Sequence, residues 1–301
     1  MESLQSLNRR RKAVGNIGAI TKAMEVVAAI KMRKAEEVAL DSRPYAFKAL
    51  DLLAKLSNGA GMENIYTKNR EIKNTLIVLM TSDRGLIGSF NAQVLRSAEK
   101  FMDSSHSFIA VGKKAHAHLI KRNLTVARKF FGFGDVIKQN EVEPLFEFLN
   151  NGFIKGEWDR VITVSMHFKS ALKQLTLVRE ILPFNVANIQ ETLAELVPEH
   201  GRFSDLSAGR QEKNSEIEYI FEPAPKELLA NLIPHLLKME LYHLVLEANA
   251  SEHAARYVAM KNASDNAKDL SEKLIIQYNK VRQAAITGEI VEMSATQSAL
   301  A

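Results

Sequence analysis

Between about Pro234 and Gly288 small or apolar residues recur at alternating steps of four and three with no proline to interrupt them: Leu237, Leu241, Leu244, Ala248, Ser251, Ala255 and Val258. The rhythm resumes at Ala263, Ala267, Leu270, Leu274, Tyr278, Val281 and Ala285. At 1.5 Å per residue such a helix extends for roughly 80 Å, several times the usual three or four turns. The first forty residues carry a matching stripe of Leu7, Val14, Ile17, Ile20, Met24, Val27 and Lys31. Apolar spacing near 3.5 residues describes a seam that needs a partner helix. The two ends of the chain are therefore expected to pair, antiparallel, as a coiled coil.

Between them the period changes. Thr75–Met80 is a continuous apolar run of the kind found in a strand buried on both faces. A glycine-bearing turn from Asp83 to Gly88 leads to a helix over 91–102. A strand at Ser107–Val111 and a helix over 113–122 follow, then strands at Val161–Phe168 and Leu175–Ile181 and a last one over 216–221. Residues 187–214 are polar and irregular and read as an exposed loop. Alternating strands and short helices predict a layered, largely parallel α/β domain. The expected fold class is α/β, with a Rossmann-like domain inserted between long antiparallel terminal helices. The corresponding segments are 1–57, 70–222 and 226–301. Helix one is expected to run over 4–40 and to kink or restart at Asp41-Ser-Arg-Pro44, because proline is disfavoured inside a helix.

Charge is uneven. Residues 1–34 hold eight basic groups, among them Arg9-Arg-Arg-Lys12, Lys22, Lys31, Arg33 and Lys34, against Glu2 and Glu25. The other 32 basic and 33 acidic groups nearly cancel, so the surplus is assigned to the first helix, and an acidic partner is expected there. Aromatics are 7% of the chain and none interleaves with the basic run, which favours protein contact over nucleic acid. The absence of cysteine excludes disulfides, thiolate metal sites and a cysteine nucleophile. No run approaches eighteen consecutive apolar residues, so no membrane span is expected. The Arg-rich start continues into the helical seam and reads as mature structure rather than a presequence.

Candidate chemistry is sparse. Ser82–Asn91 offers a strand–turn–helix that could cradle a phosphate, yet neither Gly-x-x-x-x-Gly-Lys-Ser/Thr nor Gly-x-Gly-x-x-Gly is present, and a tight turn with glycines at positive φ is the better reading. Glu240 and His243 form one Glu-x-x-His pair without the second copy a di-iron site needs. His253 beside Glu252 is equally isolated, and both histidines are expected at a surface or interface. No Ser-His-Asp grouping is found. No catalytic residue, cofactor or metal ligand is expected.

The ends also carry longer motifs. Ile20-Thr-Lys-Ala-Met-Glu-Val-Val-Ala-Ala29 with Lys31-Met-Arg-Lys-Ala35, Ser251-Glu-His-Ala-Ala-Arg-Tyr-Val-Ala-Met260, Asn262-Ala-Ser-Asp-Asn-Ala267 and Tyr278–Thr287 with Glu289-Ile290 resemble the signatures of the gamma subunits of F-type ATP synthases. Thr81-Ser-Asp-Arg-Gly-Leu86 and Gly88 fit the same family, in the same order along the whole chain. Ile30, Ile87 and Gly288 depart from its usual residues, and no cysteine-bearing regulatory insert is present. The resemblance implies a central rotor stalk inside an alpha/beta hexamer, with a foot on the epsilon subunit and the membrane c-ring. Such a stalk transmits torque between proton flow and ATP synthesis or hydrolysis, regulates the ATPase and is itself non-catalytic. It further implies a peripheral location on the cytoplasmic face of the bacterial inner membrane. Contacts with the other subunits are implied for Lys22, Met24, Lys31, Arg33, Lys34, Arg256, Arg282, Gln283, Thr287 and Glu289. The alternative from residues alone is a nucleotide-binding α/β enzyme dimerised through its terminal helices, with nucleic-acid binding a distant third.

Overall fold

A computed structural model describes residues 3–59, 65–67, 70–184 and 225–300. The predicted strand at 216–221 and the loop at 187–214 lie outside these. The elements are α1 (Leu4–Gly59), β1 (Thr75–Met80), α2 (Phe90–Ala98) with a 3-10 turn at Glu99–Phe101, β2 (Ser107–Val111), α3 (Lys113–Lys121), β3 (Val126–Phe130), α4 (Gln139–Lys155), β4 (Arg160–Phe168), β5 (Gln174–Leu182) and α5 (Pro225–Leu300). The chain divides into one unit of residues 1–29 with 256–301 and a second of residues 30–255.

In the first unit two helical segments run antiparallel. Arg11 lies over the Tyr278 ring at 5.3 Å, and a Cβ built on Gly18 would meet the Ala267 Cβ at 3.4 Å. The α1 stripe is only in part the one predicted: Leu7, Val14, Met24 and Lys31 are wholly or partly covered. Ile17, Ile20 and Val27 are 55%, 60% and 50% exposed. A continuous covered row runs through Leu7, Arg11, Val14, Gly18, Thr21, Glu25 and Ala28, alternating by four and three. Two apolar rows lie side by side on this helix, and the inner row is the one with the smaller side chains at its middle. Glycine opposite alanine lets backbones approach closely, whereas isoleucines at those positions would hold them apart. The α5 stripe is as read at Ala267, Leu274, Tyr278, Val281 and Ala285, all wholly or partly covered, while Leu270 is 38% exposed.

In the second unit five strands form one sheet in the order β3-β2-β1-β4-β5. Strands β3, β2, β1 and β4 are parallel, and β5 returns antiparallel along β4. Every residue of β1 is buried, as a central strand covered on both faces requires. One face packs Leu76, Val78, Met80, Ile109 and Val161 against α4 (Val142, Leu145, Leu149, Phe153) and α5 (Ile233, Leu237, Leu241, Leu244). The other packs Ile77, Leu79, Phe108, Ile162 and Val164 against α2 (Phe90, Val94) and α3 (Ala115, Leu119). Gly152 of α4 admits Trp158, whose ring would stand 1.9 Å from any added Cβ, and the indole N–H donates to the Leu149 carbonyl at 3.0 Å.

Two elements were not legible in the sequence. Strand β3 reads Val-Ala-Arg-Lys-Phe, with charges where an edge strand meets water, and α4 contains Pro144, past its first turn, which argues against a helix in a sequence reading. Helix α1 passes through Pro44 to Gly59 without a restart, one of the two outcomes expected there. Proline removes a single ladder bond, and an anchor beside it, Tyr45 Oη to His235 Nε2 at 2.7 Å, holds this stretch of α1 to α5.

Candidate functional site: a plugged sheet edge and an uncovered helix pair

A doubly wound sheet binds ligands outside the carboxyl ends of its strands, where the strand order reverses. Here that point lies between β1 and β4, with Thr81, Ser82 and Asp83 leaving β1. On the other side of β1, toward β2 and β3, the protein itself occupies the strand ends and the start of α3. Asp83 accepts from the Lys113 amide (Oδ1, 2.9 Å) and from the Gly132 amide (Oδ2, 2.7 Å). The Thr81 hydroxyl accepts from the Ala115 amide at 2.7 Å, and the Ser82 carbonyl from the Lys114 amide at 3.2 Å. The N-terminal amides of α3 are thus taken by a carboxylate, a hydroxyl and a carbonyl. A phosphate would have to displace a carboxylate of its own charge. Gly112 makes the clamp possible: its φ is +92°, and a Cβ would stand 2.1 Å from the Thr81 carbonyl oxygen. In the preceding turn the positive φ values fall on Leu86 (62°) and Gly88 (57°), not on Gly85. The tight-turn reading of Ser82–Asn91 holds, with a leucine in place of one glycine.

The histidines of α5 are corrected. His243 and His253 are each 4% exposed, not surface groups. Glu240 is not the partner of His243. Glu247, 1% exposed, stands between His167 Nδ1 of β4 at 2.5 Å and His243 Nε2 at 3.1 Å. Burial alone would raise the Glu247 carboxyl, but His243 and His167 outweigh it and hold it well below the usual carboxylate range. Glu240, seven residues earlier, is pushed by burial up to about 7, with the Arg179 guanidinium of β5 opposing that rise. Sequence reasoning missed this cluster because His167 lies eighty residues from Glu247 and a lone histidine in a β run carries no motif. Among the described residues no group of three His, Cys, Asp or Glu side chains is arranged to hold a metal ion.

The predicted contact residues sort by exposure. Lys22 is open to solvent and pairs along its helix with Glu25 at 3.0 Å. Met24 and Arg256 are partly covered; Arg33, Lys34, Arg282, Gln283, Thr287 and Glu289 are exposed. The Thr287 hydroxyl donates to the Gln283 carbonyl at 2.9 Å. Lys31 differs from the rest: its amine is held by Asp135 Oδ1 at 2.8 Å.

Around these polar groups the first unit presents large apolar side chains to the outside. Ile17, Ile20, Val26 and Val27 on α1 are all at least half exposed, as are Ile276, Ile290, Val291 and Met293 on α5. The stretch Leu4–Val38 contains an 18-residue window of mean hydropathy 1.4, long and apolar enough by composition to cross a membrane. Counting uninterrupted apolar runs overlooks it, because Asn16, Thr21, Lys22 and Glu25 break the run. Uncovered apolar surface on this scale marks an interaction site.

A sequence model of the family described as ATP synthase matches residues 3–300. The ATP synthase gamma chain of Opitutus terrae is 38% identical over 302 residues, covering all of both chains. That of Cytophaga hutchinsonii is 35% identical over 313 residues, covering all of this chain and 99% of the relative. Among solved structures, the rotor of Euglena gracilis mitochondrial ATP synthase aligns over 94% of this chain and 98% of its own, with TM-score 0.62 and 20% identity. The central stalk and c-ring structure of Tetrahymena thermophila mitochondrial ATP synthase aligns over 81% and 99%, with TM-score 0.58 and 23% identity. With a family model spanning nearly its whole length and relatives above 30% identity from end to end, this chain belongs to the ATP synthase gamma chain family.

Proposed function

We propose that this chain is the central rotor stalk of an ATP synthase, carrying torque between a proton-driven c-ring in the membrane and a catalytic hexamer of alpha and beta subunits. Segments 1–57 and 226–301 turn as the shaft, and 70–222 form the foot beside the epsilon subunit. The observation that carries this reading is the outward apolar surface of the helix pair in the first unit. Side chains such as Ile20 (60% exposed) and Ile276 (70%) are unfavourable in water, and a surrounding sleeve of other polypeptides covers them. Within that sleeve Lys22, Met24, Arg33 and Lys34 meet acidic segments of the beta subunits. Arg256, Arg282, Gln283, Thr287 and Glu289 make the polar contacts of the remaining shaft. Lys31 acts differently from its neighbours, since Asp135 already holds it.

In this reading the chain performs no chemistry of its own, and Asp83 on the α3 amides speaks against a nucleotide at the sheet edge. The complex is membrane-associated, and we place this subunit on the cytoplasmic face of a bacterial inner membrane. A tagged chain should co-purify from its native membrane with larger nucleotide-binding subunits, while the pure chain neither hydrolyses ATP nor binds it at micromolar concentration. Turnover by the pure chain, or recovery of the tagged chain alone, overturns the reading.

A further inference from the structure

Helix α5 meets the sheet mainly through interchangeable aliphatic residues: Ile233, Leu236, Leu237, Leu241, Leu244 and Val245. A leucine-rich stripe with a repeating 3–4 step fits nearly as well after sliding by one turn, because leucine replaces leucine. Burial of apolar area is non-directional and does not by itself choose between such positions. Something else has to fix where along the sheet this helix sits.

The polar residues of the same interface are not interchangeable. Strand β4 directs Thr163 (0% exposed), Ser165 (2%) and His167 (8%) to one face, in the alternation of a strand. Glu247 of α5 reaches His167 at 2.5 Å while its other oxygen lies 3.1 Å from His243 on its own helix. One heptad back along the helix, Glu240 is raised by burial, with the Arg179 guanidinium of β5 opposing the rise. Of the two acidic residues one heptad apart, Glu247 is the one in direct contact with a basic group on the sheet, His167. Sliding α5 by a turn would take Glu247 away from the His167 imidazole and bring His243 or Ser251, one turn to either side, toward its place. A buried charge stripped of its partner is strongly disfavoured.

We propose that His167, Glu247 and His243 form a register lock that fixes the axial position of α5 on the sheet, with specificity of position rather than net stability as its contribution. Buried ion pairs are often no more stabilising than aliphatic residues of the same volume, and a single buried polar contact is known to fix helix register. The lock does not depend on the rotor reading, since it concerns only residues inside the second unit.

The test is a distance, measured on the full chain. The native sequence has no cysteine, so cysteines introduced at Asn231 of α5 and Leu172 of the β4–β5 turn, both exposed, can carry spin labels for pulsed dipolar spectroscopy. Otherwise unchanged, the chain should give one narrow distance. The triple variant His167→Leu, His243→Leu, Glu247→Met should keep its helical circular dichroism but give a second or shifted distance, displaced by about 5 Å, one helical turn. A folded triple variant with the original single distance overturns the proposal. Should the triple variant fail to fold, the exchange His167→Glu with Glu247→His decides, because it keeps one carboxylate and two imidazoles in the same space. It should retain the original distance; a shifted or doubled distance, or loss of folding, overturns the lock.

Discussion

The amine of Lys31 on α1 lies 2.8 Å from Asp135 Oδ1 in the loop after β3, and His253 Nε2 of α5 stands 4.0 Å from that same oxygen. One carboxylate in a loop of the sheet therefore addresses both long helices. The loop is tied down on either side: the Gly134 amide donates to Glu141 Oε2 at 3.1 Å, and the Gly134 carbonyl accepts from Asn249 at 3.3 Å. The Tyr242 hydroxyl donates to the Ile137 carbonyl at 3.0 Å. Lys31, His253 and Asn249 thus tie this loop to both long helices within the second unit.

The Lys31 bond lowers the Asp135 carboxyl below its ordinary 3.8. A carboxyl with a depressed folded value stabilises the fold above its unfolded value and loses that contribution as pH falls through the folded one. Both side chains are more than a third exposed, so Lys31→Ala should cost at most about 1 kcal/mol at neutral pH. The deficit, read from urea midpoints, should vanish in acid below the usual carboxylate range. A deficit of several kcal/mol, or one that persists in acid, contradicts this account. Lys31→Glu sets like charges together and should cost more than the alanine variant.

Glu247 is a different case because it is buried. Glu247→Ala removes the buried carboxylate between His167 and His243 and should cost about 3–5 kcal/mol. Its folded carboxyl is depressed, so this contribution is present through neutral pH and lost only as pH drops well below the ordinary 4.5. An alanine variant within about 1 kcal/mol of the parent would show the contact is not formed.

These two carboxylates mark what was legible in the sequence. The strands β1, β2 and β4 were visible because continuous apolar runs need burial on both faces. The α5 seam was visible because its period holds through two long runs, Leu237–Val258 and Ala263–Ala285, with no proline between them. Helix α1 was harder: Ile17, Ile20 and Val27 form as good a stripe as Gly18, Thr21 and Ala28, and larger apolar residues win any count of hydrophobicity. The inner row is recognisable only by asking which side chains let two backbones approach. Contacts such as Lys31 with Asp135, 104 residues apart, or His167 with Glu247 depend on the folded topology and leave no local signal.

Glu240 should show the opposite pH dependence to Glu247. Its folded carboxyl titrates near 7 against an ordinary 4.5, so between those values the native state binds the extra proton. Stability from this group then falls as pH rises through that interval. Glu240→Gln removes the dependence and should stabilise the chain above pH 7 by on the order of 1–2 kcal/mol, discounted for partial exposure. Thermal midpoints of parent and variant, compared on both sides of the interval, should diverge only on the alkaline side. Parallel profiles would refute the assignment.

Gly112 and Gly156 both adopt positive φ, at +92° and +76°, but differ in surroundings. A Cβ at Gly112 would stand 2.1 Å from the Thr81 carbonyl, whereas at Gly156 it meets nothing within 4 Å. Gly156→Ala should cost about 1 kcal/mol, the conformational term alone. Gly112→Ala has to open the Asp83 clamp as well and should cost at least about 3 kcal/mol. Equal denaturant midpoints for the two variants would mean that the close approach of β1 to the start of α3 is not maintained.

The two apolar rows on α1 should respond oppositely to substitution. Gly18 faces Ala267 with 3.4 Å available to a first added carbon; Gly18→Leu therefore forces the paired helices apart and should lower stability by about 1–3 kcal/mol. Ile17 and Ile20 touch solvent, so Ile17→Glu with Ile20→Glu should change the stability of the isolated chain by under about 0.5 kcal/mol. If a sleeve of alpha and beta subunits covers that surface, the double glutamate variant should nonetheless fail to assemble with them, because two carboxylates would be desolvated against an apolar lining. Assembly can be followed by co-purification and by the ATP hydrolysis of the reconstituted complex. A double variant that assembles and couples normally would place the outer row in water, and the covered surface would have to be sought elsewhere on the helix pair.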